Sequence, residues 1–144
     1  MEIYVEQIRD YSEELKKALN KLLNQLNEAA ILLTEADTRE MIESPVNKLF
    51  VARLKDKKIV GMLTLTVVRV LFAKKGLLED IVVDKEYRGK GIGTKLISSA
   101  ISHARKEGVA HLDFTSNPKR VKANRLYEHL GFKKRDTNVY RIEL

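Results

Sequence analysis

The sequence has no cysteine and no tryptophan among its 144 residues, and only two prolines. Without thiols it can form no disulfide, no thiolate metal site and no cysteine-based acyl-enzyme. His103, His111 and His129 lie far apart without ligand spacing, so no metal is expected. No apolar run approaches a bilayer span and Glu2 directly follows Met1, so neither a transmembrane helix nor a secretory signal is expected. That reading places the protein in the cytoplasm with no membrane partner. No Pro-, Gly- or Ser-rich linker interrupts the chain, and residues 1–144 are expected to form a single domain. Aromatic residues are scarce, with five Tyr and four Phe, and several of them fall at core-like positions. A basic nucleic-acid-binding domain needs stacking aromatics interleaved with cations, so no nucleic-acid partner is expected despite a net charge of +7.

What remains is the composition of a globular protein, 44% hydrophobic and 33% charged. The basic residues form small scattered clusters at Lys55/Lys57/Lys58, Lys74/Lys75, Lys119/Arg120/Lys122 and Lys133/Lys134/Arg135. These read as solvated surface.

Hydrophobic periodicity divides the chain into elements. Residues 1–8 alternate as a strand, and Asp10 or Ser12 can cap the helix that follows. Leu15, Ala18, Leu19, Leu22, Leu23 and Leu26 recur at helical spacing and give that helix one leucine face. Residues 34–44 hold a loop and a second helix ended by Pro45. Residues 47–54 and 59–72 read as a hairpin, with a turn at Lys74-Lys75-Gly76 and a third strand over 77–83. A helix over 91–106 ends near Gly108, a short parallel strand covers 111–115, and a last helix lies within 117–130. A closing strand is expected at 139–144, with a further short strand near Phe132. The order is βααβββαβαβ, an α+β fold with a central twisted, mostly antiparallel mixed sheet flanked by helices.

The junction between the third strand and the next helix carries the chemistry. Glycines at 89, 91 and 93 permit a sharp turn close to a ligand, and the helix that begins there offers free N–H groups at its positive dipole end. An anionic ligand follows. The string lacks the Gly-Lys-Ser/Thr of a P-loop, and Gly-x-Gly-x-Gly is not the Gly-x-Gly-x-x-Gly of a dinucleotide site. Ser98, Ser99 and Ser102 lie on the helix without a paired base, which disfavours a serine nucleophile.

Arg88-x-x-Gly91-x-Gly93, preceded by Glu79-Asp80-Ile81-Val82-Val83-Asp84, resembles the acetyl-CoA pyrophosphate loop of the GNAT N-acetyltransferase superfamily. Leu126-Tyr127-Glu128-His129-Leu130-Gly131-Phe132 resembles that family's Leu-Tyr-x-x-x-Gly-Phe segment at the correct order and distance. The element order agrees with the fold over the whole chain, and the resemblance is specific from about residue 77 to 132. It implies an acetyl-CoA-dependent N-acetyltransferase working by direct transfer in a ternary complex, with no metal. The alternatives are a catalytically silent acyl-CoA sensor and, more weakly, the nucleic-acid-binding domain.

The resemblance also assigns roles. Tyr127 is expected to protonate the departing thiolate, and Glu79 to accept the amine proton through water. Backbone groups of Ile81, Val82 and Val83 would bind the pantetheine and the thioester oxygen. Arg88, Gly89, Lys90, Gly91, Ile92, Gly93 and Thr94 would bind the pyrophosphate, while Lys95 is less specific. Lys119, Arg120 and Lys122 would meet the ribose phosphate. Arg120 occupies the family's usual asparagine position, leaving Asn117 and Asn124 as pantetheine contacts of uncertain register. In a regular strand Asp80 points to the face opposite Glu79, and the two cannot share a pocket. The acceptor amine would approach past Glu28, Glu35, Asp37 and Glu40 on one side and Asp136, Thr137, Asn138 and Tyr140 on the other. Its identity stays open among small molecules and protein amines, as does the choice of monomer or homodimer.

Overall fold

A computed structural model describes all residues from 1 to 144 and has an α+β fold: a five-stranded mixed sheet with four α-helices. The strands are β1 (Ile3–Gln7), β2 (Asn47–Leu54), β3 (Ile59–Arg69), β4 (Lys74–Val83) and β5 (Leu112–Asp113). The helices are α1 (Glu13–Leu26), α2 (Glu35–Glu43), α3 (Ile92–Lys106) and α4 (Val121–His129). Residues Met1–Phe114, which hold the whole sheet and α1 to α3, form one compact unit; Thr115–Leu144, which hold α4, form a second.

The sheet order follows the chain, β1-β2-β3-β4-β5, antiparallel until the parallel β4–β5 pair. Parallel strands need a crossover, and α3 supplies it. One face of the sheet carries Leu49, Val51, Met62 and Val82, which pack with Leu15, Leu19 and Leu22 of α1 in a continuous core. The leucine periodicity therefore serves the sheet. Ser12 starts α1 by accepting a hydrogen bond from the Leu15 amide at 3.0 Å, and Thr34 with Asp37 closes a capping box on α2.

The other face receives α3, whose Ile92, Leu96, Ile97, Ala100 and Ala104 are buried. Gly61 makes room for it: a β-carbon there would sit 3.0 Å from the Leu96 side chain and 3.3 Å from Ile92. Gly76 does the same for β5, since a β-carbon would lie 2.4 Å from the Leu112 side chain.

Two expectations are corrected in this region. Lys74, Lys75 and Gly76 are strand residues paired with Arg69, Val68 and Val67, and the reversal falls at residues 70–73, closed by Val70 donating to the Ala73 carbonyl. Lysines are weak strand formers, but a tight hairpin register extended from Val67 carries them into the ladder. The closing strand at 139–144 and the one near Phe132 are absent, leaving the order βααβββαβα. Val139, Tyr140, Ile142 and Leu144 are all exposed, with no backbone ladder to hold them. Alternating β-formers make a strand only where a partner edge accepts their hydrogen bonds. No helix is long and apolar enough to cross a membrane.

Candidate functional site

The β4-to-α3 turn is built by Asp84. Its Oδ1 accepts from the Glu86 amide at 3.0 Å, and its carbonyl accepts from the Tyr87 amide at 2.8 Å, which winds residues Lys85–Tyr87 into a 3-10 turn. The Asp84 carboxylate is buried, with Oδ2 3.3 Å from Lys21 Nζ of α1, and the Gln25 side chain receives the Lys85 amide at 2.8 Å. Burial pushes this carboxyl up, but the Glu86 amide and the Lys21 ammonium together outweigh it and hold it below the usual aspartate value. A lowered carboxyl stabilises the fold above its ordinary pKa and stops doing so as pH falls through its folded one. Asp84→Asn is therefore expected to cost about 1–2 kcal/mol at about pH 7 and less near pH 3. Urea unfolding at the two pH values checks this; an equal gap at both would remove the ionised pair as the cause.

From there the chain turns through Arg88, whose Nε donates to the Val83 carbonyl at 3.0 Å. That contact fastens the loop to the end of β4 and leaves the remaining guanidinium N–H groups on the surface. Gly89 and Gly91 both adopt left-handed backbone, at φ 77° and 80°, which only glycine enters without strain. Gly91 is the N-cap of α3, and no side chain caps the helix. The first intrahelical bond is Lys95 to Gly91, 3.1 Å, so the amides of Ile92, Gly93 and Thr94 precede the ladder. The Ile92 side chain is in the core, so only its backbone can serve a ligand. Lys95 Nζ donates to the Ile3 carbonyl at 3.1 Å and ties α3 to β1. Lys90 is exposed in the turn.

The second half of the site is the edge of β4. Its pairing with β5 consists of Gly76 with Leu112 and Leu77 with Asp113, so Leu78 to Val83 meet β3 alone. Backbone groups of 78–83 that alternate away from β3 have no strand to bond. Within this stretch β4 is bulged: Thr64 pairs with Glu79 and Met62 with Val82, which sets Asp80 and Ile81 against the single residue Leu63. Asp80 has φ 55° and its Oδ2 accepts from the Thr64 hydroxyl at 3.0 Å.

This bulge corrects the regular-strand expectation. Residues paired across an antiparallel ladder share a face, so Glu79 lies on the face of Thr64, Met62 and Val82. The bond to Thr64 brings the Asp80 carboxylate toward the same face. Burial pushes the Glu79 carboxyl above the usual glutamate value, and the neighbouring Asp80 charge adds to it. Neither carboxylate is joined to a cation.

The remaining candidates belong to the second unit. Tyr127 is the buried residue of α4, while Leu126 and Leu130 are half-buried. The Tyr127 carbonyl accepts from the Phe132 amide at 3.0 Å across the Gly131 turn. Asn124 Nδ2 donates to the Asn117 carbonyl at 3.0 Å, and Asn117 Oδ1 accepts from the Lys119 amide at 2.9 Å. The two asparagines thus cooperate in the turn that starts α4.

A shallow, open hollow of about 370 Å³ runs along α3 between Phe50, Ser98, Ser99, Ser102, His103 and Lys106. His103 Nε2 faces Glu107 at 3.1 Å and its ring packs edge-on to Phe50; no hydrogen bond joins a serine to it. It is a groove over a helix without nucleophile chemistry.

Residues 6–132 match the Acetyltransferase (GNAT) family. This chain belongs to the GNAT acetyltransferase family. Over 59 residues the GNAT chain is 36% identical to an uncharacterised N-acetyltransferase of Methanocaldococcus jannaschii, a match covering 41% of this chain and 26% of that longer relative. An acetyltransferase of Trypanosoma brucei superposes with a TM-score of 0.79 at 25% identity, over 99% of this chain and 100% of that one. An aminoglycoside N-acetyltransferase solved in complex with CoA shares the fold, with a TM-score of 0.81 at 17% identity over 99% of this chain and 95% of that one.

In this GNAT chain the loop from Arg88 to Thr94 and the edge from Ile81 to Val83 adjoin through the Arg88 to Val83 contact. Two contributors were not singled out from the sequence. Asp84 carried the signal of an aspartate two residues before Glu86, an Asx turn. Thr64 stood out as a polar residue in the apolar run of β3.

Proposed function

We propose that this protein is an acetyl-CoA-dependent N-acetyltransferase, residues 1–144 acting as one catalytic domain in the cytoplasm. The observation that carries the reading is the uncapped N-terminus of α3, delivered by two left-handed glycines directly after a strand edge that has lost its neighbour. The amides of Ile92, Gly93 and Thr94, with Gly89, Lys90, Gly91 and Arg88, suit a pyrophosphate: several converging N–H donors at a positive helix end, with cations beside them. The open edge at Ile81, Val82 and Val83 suits an extended amide-bearing arm laid alongside it as a strand would be. Family membership supports both assignments.

Acetyl-CoA supplies the acyl group as a thioester. Glu79, raised by burial, holds a carboxylate suited to taking a proton from the acceptor ammonium through water. An amide of the β4 edge donates to the thioester oxygen as negative charge gathers there. Tyr127 gives its proton to the departing sulfur. Asn117 and Asn124 line the entry to α4 as pantetheine contacts. The acceptor is an amine, and both substrates are bound before transfer, with no acyl-enzyme.

Calorimetry with acetyl-CoA, free CoA and a nucleotide lacking the pantetheine arm tests the reading. The first two are expected to bind, the third at least about tenfold more weakly. Absence of binding by all three would reduce the glycine turn to a helix cap and overturn the proposal.

A further inference from the structure

We propose that Asp80 is a positioning residue for transfer: anchored on the Thr64 hydroxyl, it holds the β4 bulge in the left-handed turn that sets Glu79 on the Thr64 face and turns the following amides toward the open edge. The inference rests on the acetyltransferase reading and adds to it a residue pair that touches neither substrate.

Three observations converge. The bulge is real in register, two residues of β4 against one of β3. Its first residue is a non-glycine at φ 55°, a conformation disfavoured for L residues and tolerated best by Asp and Asn. The hydroxyl that secures it belongs to Thr64, 2% exposed, so the anchor is fixed within the sheet. A buried threonine hydroxyl costs free energy without a partner, and Asp80 is the partner here. Without the extra residue, Glu79 and Val82, three positions apart, would lie on opposite faces. With it, they share one.

Asp80 also acts through its charge. After burial, it is the one charged neighbour that raises the Glu79 carboxyl. On the elements packed against β4, the pair opposite Glu79 is the neutral Thr64 on β3, Asp113 of β5 lies beside Leu77 and 3.6 Å from His111, and Lys21 of α1 is engaged by Asp84; none of these charges contributes to the Glu79 shift. On α3, Lys95 is held by Ile3.

The experiment separates geometry from charge. Asp80→Asn keeps a hydrogen-bond acceptor and a side chain that tolerates left-handed backbone, but removes the charge. Asp80→Ala removes all three, and Thr64→Val removes the anchor at constant volume. Acetyl-CoA affinity, the pH dependence of kcat and the carbon-13 titration of the Glu79 carboxyl in ligand-free protein are measured for each. Asp80→Asn is expected to keep affinity within about twofold while the Glu79 midpoint and the acid limb of kcat move together to lower pH. Asp80→Ala and Thr64→Val are expected to weaken affinity and lower kcat on the order of tenfold each. Wild-type affinity and kcat in both Asp80→Ala and Thr64→Val would overturn the proposal, as would an Asp80→Asn protein as impaired in affinity as Asp80→Ala. If wild-type protein neither binds acetyl-CoA nor transfers its acetyl group, the acetyltransferase reading falls on its own. The ligand-free titration then still decides: a Glu79 midpoint unmoved in all three variants would overturn the positioning role too.

Discussion

Valine at position 91 is expected to weaken acetyl-CoA binding on the order of a hundredfold while lowering thermal stability only slightly. The separation of the two effects comes from the geometry. A β-carbon on Gly91 meets nothing within 4 Å, so the substitution creates no clash in the free protein. Its cost is conformational: φ is 80°, and a β-branched residue is strained there by about 1–2 kcal/mol. The chain relieves that strain by rotating out of the left-handed region, which turns the amides of Ile92, Gly93 and Thr94 away from the position a pyrophosphate would occupy. The new side chain also stands in the space in front of them. Asparagine at 91, which tolerates left-handed backbone, is expected to recover a substantial part of the loss. Titration calorimetry beside a thermal melt measures both, and an unchanged Kd for Gly91→Val would remove the α3 N-terminus as the phosphate site.

Tyr127→Phe is expected to lower kcat on the order of a hundredfold or more, with the KM for acetyl-CoA nearly unchanged. Tyr127 is 6% exposed, and phenylalanine keeps the buried ring while removing the hydroxyl. A group needed to protonate a leaving sulfur acts in the transition state, so its loss falls on turnover and spares ground-state binding. A purely packing tyrosine would show the reverse, a shift in the unfolding midpoint with kcat intact. Acceptors whose reaction is limited by sulfur departure should feel the substitution most. Steady-state kinetics on the two proteins decides between the roles.

The leucine spacing of α1, the glycine turn and the strand–turn–helix order were legible because each rests on a local rule: period, positive φ, or a free helix end. The bulge was not. Nothing in Glu79-Asp80-Ile81 announces that one extra residue sits opposite Leu63, because register depends on what β3 offers across the ladder. The inversion of the Asp80 assignment follows from that single count. The same non-locality explains Val139 to Leu144, whose alternation is that of a strand but which pairs with no other strand. It explains Asn124 too. Its amide is bonded to a carbonyl seven residues earlier, so a residue read as a candidate ligand contact is also part of the turn that aims α4.

Gly76 opens the two-residue pairing of β4 with β5, beyond which the strands part after Leu77 and Asp113. Its missing side chain admits Leu112 at a distance no β-carbon could share, so this single vacancy sets how closely the two strands begin. A methyl group there would displace the end of the Leu112 side chain, while none of the candidate loop and carboxylate residues changes. The closeness of the two strands and the chemistry beside them are thus carried by different residues, Gly76 with Leu112 for the first, the loop and the carboxylates for the second.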